Sequence, residues 1–561
     1  MSTAEEILRR FERDVLDKHH ESLSLWNRPR NVAVYAALAQ FDCWAILPLV
    51  APLTFGSVPT MQRLKNLEEG LSEALRWLHT GDPRLDLVPT DDRNIIQEAG
   101  EFCLFAGQYV DIADFHKMYG RGQVDLEVDE AARVVRFVMP TDRARGSSII
   151  GITEQAYRLR SRASAADLSE SLPDLREEAL RVIGSMGTRY EAGHVILDDV
   201  SVANHDAIRA LVDLSVPTEP FPLADNEDLV GFTAGEFNAF FGALRRWSFC
   251  CTAAFLHAIT KGGKQQWQCA PTQCLPRGVF LSGMGRLSGL AQDTVQLITQ
   301  RMTYRHFTVQ SDVYLQPLFG GEDQIAWSAS VVQNSKHQRN MLKLMSRIPS
   351  LRDHAAGLIG RREMPMLQEL GLAIARRGGM AFKLHTPVSG GDEVGEVDLL
   401  AYNRKSAGEV LIVEGKAVLG VDEINEVESA TVEMQNGQQQ LAKVKRILEL
   451  MPDSEKARLF RFVDWTRVRA FYGVVVAGDA EPSNNYDHSE YPGISAQALE
   501  SRLRDSEFAS PRRFWSACKE RKWLEKLRSG TPSYNPVAVA DVTYELPVLG
   551  VRAEDVDGLK T

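Results

Sequence analysis

The stretch from Gly391 to Val418 constrains this chain more than any other, because it sets charged residues into otherwise apolar strands. Val394 to Tyr402 alternates apolar and polar side chains, as a half-buried strand does, and carries Asp398 between Val397 and Leu399-Leu400. Asn403 to Gly408 has the composition of a turn. Glu409 to Val418 then reads as a strand apolar on both faces until Glu414 and Lys416 interrupt it. Residues two apart on a strand share a face, so Glu414 and Lys416 point one way and Gly415 the other. A hairpin turning between Asn403 and Gly408 folds Asp398 back beside them. Two carboxylates and an ammonium at the end of a buried strand are costly to desolvate unless they are paired or bind a cation, which points to a use.

Gly395-Glu396-Val397-Asp398, a hairpin, and Ile412-Val413-Glu414-Gly415-Lys416 together resemble the PD-(D/E)xK nuclease superfamily. Asp398 matches the first acid and Glu414-Gly415-Lys416 the acid-x-Lys element, with Val397 where many members carry Pro. The resemblance covers roughly residues 350 to 480. It implies that Asp398 and Glu414 hold Mg²⁺, with Mn²⁺ able to substitute, and that Lys416 positions and activates the attacking water. It also implies products with a 5′-phosphate and a 3′-hydroxyl.

The flanks agree with that order of elements. Met364 to Arg377 reads as a helix with an apolar stripe through Leu367, Leu370 and Ile374, ended by Gly378-Gly379. The resemblance places a further metal-binding acid there, and Glu369 matches it; an exposed helical Glu is the plain alternative. A first strand is expected over Met380 to His385, and a helix over Thr431 to Met451 carries Gln438-Gln439-Gln440. Family members often use a Gln on this helix at the reacting phosphate; Gln440 is the best match, against a solvated polar face. A strand at Val468 to Ala477 and a helix at Ser495 to Leu503 complete the pattern.

At 561 residues, two to four domains are expected. Three segments follow. Residues 1–340 are helix-rich and carry no motif that assigns a role, leaving recognition, oligomerisation (with a second copy or a partner protein) or regulation open, 345–530 form the nuclease-like part, and 531–561 are a tail with one strand, Val537 to Leu546. The fold class is mixed α/β, the second segment being a restriction endonuclease-like domain with a central mixed sheet flanked by helices. In the first segment helices are expected at 61–79, 94–118, 168–186, 204–214, 233–260 and 289–303, with a hairpin across Val124 to Met139. Strands are expected around Gly320-Gly321-Glu322-Asp323, and a helix from Asn334 to Arg347.

The segment Val34 to Phe55 is apolar but broken by Asp42, Pro48 and Pro52, so it reads as buried chain and not a membrane span. The helix from Thr3 to His20 is charged throughout and lacks the apolar core of a signal peptide, so a cytoplasmic protein is expected. Cys250, Cys251, His257, Cys269 and Cys274 raise the question of zinc, but adjacent cysteines in an apolar run suit a core better. A net charge of −11 argues against unspecific coating of nucleic acid, not against a nuclease. Basic clusters at Arg361-Arg362, Arg376-Arg377, Lys443 to Arg446, Arg467 with Arg469, and Arg512-Arg513 through Lys522 could meet phosphates, with Phe514, Trp515 and Trp523 available for stacking; solvated helix faces are the alternative.

The expected activity is metal-dependent hydrolysis of phosphodiester bonds. DNA is favoured over RNA as partner, and prokaryotic defence against foreign DNA follows by fold-level analogy. The alternatives are a non-cutting scaffold or DNA-binding module of the same fold, and a nuclease directed at RNA.

Overall fold

Apolar residues at helical spacing dominate the first part of the chain, and helices form there. The computed structural model describes residues 3–50, 70–79, 85–139, 173–191, 194–215, 221–262, 270–304, 312–419, 424–478, 490–496, 499, 503–520 and 533–548. Thr3 caps the first helix through a reciprocal bond pattern with Glu6, and helical turns run on to Ser22.

Helix α1 (Arg30–Val50) is largely apolar, and its one acidic residue, Asp42, is fully buried. Asp42 is satisfied by protein: Ser328 Oγ and the backbone N–H groups of Ala329 and Ser330 donate to it at 2.6, 3.1 and 2.8 Å, as does Thr272 Oγ1. Three of these donors belong to the start of the helix Ala329–Asn334, so the carboxylate caps that helix end and pins α1 to it. No helix among the described residues is long and apolar enough to cross a membrane.

Helix α2 (Arg93–Gly120) packs on α1. The expected hairpin forms as β1 (Asp125–Asp129) and β2 (Val134–Val138), in antiparallel register. Helix α3 (Ala234–Gly262) runs through the largest core, where Cys250 and Cys251 are buried among Phe241, Leu244 and Trp247. Burial pushes the Cys250 thiol up to about 12, as suits a core thiol rather than a metal ligand. Cys269 lies outside the described residues. The helix expected over 289–303 forms as Gln292–Met302, and a helix that was not expected (Arg277–Ser288) precedes it and ends at Gly289, whose φ is +73°. Around the glycine-rich turn, Leu318–Phe319 and Gln324–Trp327 pair antiparallel, and the chain then becomes helical at Ala329.

Helix α4 (His337–Arg347) leads to α5 (Glu363–Gly378), which opens the second part. Strands β3 (Ala381–Gly390), β4 (Glu393–Tyr402) and β5 (Glu409–Lys416) form an antiparallel meander. Helix α6 (Ile424–Leu450) crosses over to β6 (Ala470–Ala477), parallel to β5, and β7 (Gly493–Ser495) adds at the edge beside it. The sheet order is β7-β6-β5-β4-β3. Helix α7 (Pro511–Glu520) and α5 cover one face through Leu367, Leu370, Ile374 and Phe514, and α6 covers the other through Met434, Leu441, Val444 and Ile447. With both faces covered, β5 is apolar on both sides from Val410 to Val413, before Glu414 and Lys416 interrupt the run.

Strand β4 does not alternate along its whole length. It alternates only to Glu396, and from Val397 to Tyr402 every residue is buried. Val397 belongs to the α6 core and Leu399, two residues on, to the α5 core, so the pleat reverses at Asp398. Strand β3 reverses opposite it: Leu384 packs toward α5, Val388 toward α6, and between them His385 takes φ +38°.

The tail is not a single strand. It forms β8 (Ser533–Val539) and β9 (Val542–Val548), and β9 pairs parallel with β2 to complete a four-stranded sheet, β1-β2-β9-β8. The end of the chain thus joins the N-terminal region, with Val537, Val539 and Tyr544 buried against Phe11, Phe105 and Phe137. The helix expected over Ser495 to Leu503 lies largely outside the described residues.

Candidate functional site

The site lies where β4 and β5 run side by side into the start of α5 and the face of α6. Strand alternation sends Glu414 and Lys416 toward α6, and Gly415 toward α5, where a Cβ would come within 2.9 Å of Glu363 Cγ and 3.0 Å of Leu367 Cδ1. Gly437 on α6 does the same service opposite: a Cβ there would meet Val475 at 2.9 Å and Lys416 Cε at 3.2 Å. Two glycines therefore let helices close onto the strand end from both sides.

Antiparallel pairing of β4 with β5 brings Asp398 to the Glu-x-Lys element, where the Gly415 N–H donates to Asp398 Oδ2 at 2.9 Å. Lys416 Nζ donates to Glu414 Oε1 at 2.8 Å and to Gln440 Oε1. Of the three glutamines, Gln440 reaches the site, whereas Gln438 donates to the Tyr491 carbonyl at 2.9 Å. Four residues singled out by sequence, Asp398, Glu414, Lys416 and Gln440, thus converge.

Glu369 does not join them. It is on the exposed face of α5. The acid that α5 contributes is Glu363, half-buried, hydrogen-bonded to the Ala417 backbone and in electrostatic contact with Asp398 and Lys416. The two acids are six positions apart, about 1.7 turns, so they point in different directions. The sequence signal was an acid in the first turn of this helix; placing the helix start at Met364 left it just outside.

The electrostatics are those of too many carboxylates. Glu414 has a side chain 6% exposed, Lys416 one 15% exposed. Burial, with the Asp398 charge next, pushes Glu414 up to about 8, against the pull of Lys416. Burial pushes Glu363 up to about 7, with Asp398 adding to the shift. Asp398 is also raised by burial, partly offset by the Gly415 N–H and by Lys416. Three acids thus share the Lys416 ammonium, and the electrostatic deficit is one a cation would fill. Asp398, Glu414 and Glu363 offer hard carboxylate oxygens, the donor type that a divalent ion could use.

Among the described residues, one group of three offers ligand atoms all within 4.8 Å of one another: His385, Glu396 and Asp398. Sequence reasoning missed His385 and used Glu396 only as part of a motif.

Several basic residues expected to face phosphates are engaged internally. Arg361 pairs with Glu227, Arg362 Nε donates to the Phe221 carbonyl, Arg446 pairs with Glu393 and Lys445 with Glu490. Phe514 is fully buried, and Trp515 Nε1 donates to the Glu490 carbonyl with Lys519 over its ring. Arg521, Lys522 and Trp523 lie outside the described residues.

Comparison with protein-family models, curated proteins and solved structures gives no match to this chain.

Proposed function

We propose that this protein is a metal-dependent nuclease of the PD-(D/E)xK, restriction endonuclease-like class, hydrolysing phosphodiester bonds, with DNA as the favoured substrate. The observation that carries this reading is the convergence of Asp398 with Glu414, Lys416 and Gln440 at one strand end, with acids outnumbering their shared ammonium. The order α5, β3, β4, β5, α6, β6 supports it, being the core that class uses. Prokaryotic defence is the setting we propose by analogy of fold.

Asp398 and Glu414 would hold the Mg²⁺, whose charge polarises the phosphate and offsets negative charge built up in the transition state. Lys416 supplies a fixed ammonium. Clamped by Glu414 and Gln440, it loses little entropy on reaching the transition state and favours the anionic form of a water held against it. Gln440 orients Lys416 through its carbonyl and leaves its amide free to donate to a phosphate oxygen. Glu363 adds negative charge beside Asp398, which strengthens the hold on a cation. The N-terminal region, tied to α6 through Lys343 on α4 and Glu426 at 2.6 Å, would recognise a target or restrain the site.

The test is cleavage of plasmid, linear and single-stranded DNA and of RNA by the full-length protein in Mg²⁺, Mn²⁺ or EDTA, beside Asp398→Ala and Lys416→Ala. Metal-dependent cutting that both variants reduce at least about 100-fold supports the reading. Cutting that survives either substitution refutes the assignment of the site.

A further inference from the structure

We propose that His385, Glu396 and Asp398 form a second cation position, suited to a first-row transition ion such as Mn²⁺ rather than to Mg²⁺. It shares Asp398 with the nuclease reading and otherwise rests on residues that reading does not use.

The three side chains are brought together by strand pairing. His385 lies between the register pairs Leu384↔Leu399 and Thr386↔Val397, directly across from Asp398, and Glu396 is two residues before Asp398 on the same strand. The ligand atoms lie within 4.8 Å of one another, and His385 Nδ1 is 2.8 Å from Glu396 Oε1. Octahedral ligands about 2.1 Å from an ion sit about 3 Å apart when adjacent and about 4.2 Å apart when opposite, so an ion would draw these atoms together and replace the hydrogen bond between His385 and Glu396. Asp398 gives one oxygen, Oδ2, to the Gly415 N–H, which fixes the carboxylate's orientation and leaves Oδ1. Nδ1 is the imidazole nitrogen on the side of Glu396, to which it is hydrogen-bonded, and Nε2 on the far side of the ring is shielded from solvent and makes no hydrogen bond.

The donor set decides the ion. Mg²⁺ prefers oxygen ligands and retained waters, whereas a set of one imidazole and two carboxylates suits Mn²⁺, Fe²⁺ or Zn²⁺. The oxygen-only position at Glu414 carries no such preference.

The test uses the full-length protein, with Mn²⁺ as the probe, read by electron paramagnetic resonance. Two ions per chain are expected, one of them showing ¹⁴N modulation in pulsed spectra from a directly bound imidazole. His385→Ala removes the nitrogen signal and one equivalent. Glu396→Gln, at an exposed side chain, weakens that ion about tenfold or more. Glu414→Gln removes the other ion and keeps the nitrogen signal. Wild-type protein without ¹⁴N modulation, or a signal that persists in His385→Ala, overturns the proposal. A nitrogen-bound ion in a protein that cuts no nucleic acid sinks the nuclease reading and leaves this one standing; cutting with no nitrogen-bound ion does the reverse.

Discussion

Replacing Glu414 by Gln keeps the side chain's volume and removes its titration, and the site's electrostatics set what should follow. Glu414 titrates near 8 in the fold, where an ordinary glutamate titrates near 4.5. Between those values the folded chain holds a proton that the unfolded chain has lost, so stability is full below about 4.5 and declines as pH rises toward 8. At about 1.4 kcal/mol per pH unit, the interval from 4.5 to about 8 corresponds to roughly 5 kcal/mol. That figure is a ceiling, because Asp398 and Glu363 share the same repulsion and Lys416 relieves part of it. Hydrogen–deuterium exchange of β5 peptides, corrected for intrinsic rate, reads this local stability between pH 5 and 9 without requiring the whole chain to unfold in one step. In metal-free wild-type protein, β5 protection should fall across that range, and Glu414→Gln should cut the slope by at least half. Added Mg²⁺ should flatten the wild-type slope too, since a dication supplies the positive charge that a proton supplies at low pH. Protection that rises with pH, or an identical slope in wild type and Glu414→Gln, would falsify the account of the site as a charge-deficient cluster.

Glu363→Gln should weaken Mg²⁺ binding about tenfold in a calorimetric titration, while Glu369→Gln changes it less than twofold; the opposite ranking would restore Glu369 as the helix acid. Lys343, whose side chain is 9% exposed, holds Glu426 at the start of α6. Lys343→Met takes from that carboxylate its 2.6 Å ammonium partner and leaves Arg347 at 3.8 Å, and should cost on the order of 1–3 kcal/mol, seen as a lowered midpoint in urea. An unchanged midpoint would mean that this pair contributes nothing to holding the two regions together. Asp42→Ala removes the acceptor for four buried donors at the junction of α1 and the helix Ala329–Asn334, and a loss of about 3–5 kcal/mol is expected from thermal or urea unfolding; wild-type stability in that variant would refute a structural role.

How far the site was legible depended on how local its signals are. Glu414 and Lys416 stand out because charges at positions two apart break an apolar strand, and period-two geometry fixes their common face without tertiary knowledge. Gln440 was harder, since three glutamines in succession offer three directions around a helix. Only the path of α6 over the sheet selects the one that meets Lys416. Glu369 was a misreading of phase: periodicity shows that α5 is a helix, but which residue reaches the strand end depends on where the helix begins and how it lies on the sheet. His385 was invisible because its partners are on the neighbouring strand and its position depends on a pleat reversal that no alternation pattern encodes.

The same division runs through the fold. Hydrophobic periodicity and turn chemistry determined that α5, β3, β4, β5, α6 and β6 exist and in what order, because those forces act over a few residues. It also marked Asp42 as an interruption that rules out a membrane span. What only the tertiary structure decided is everything that pairs distant residues: Asp42 as a helix cap, β9 completing a sheet with β2, Glu363 displacing Glu369, and His385 set opposite Asp398. Each depends on the close approach of segments far apart in sequence, selected by the packing of the whole core, and a single strand or helix carries no record of its partner.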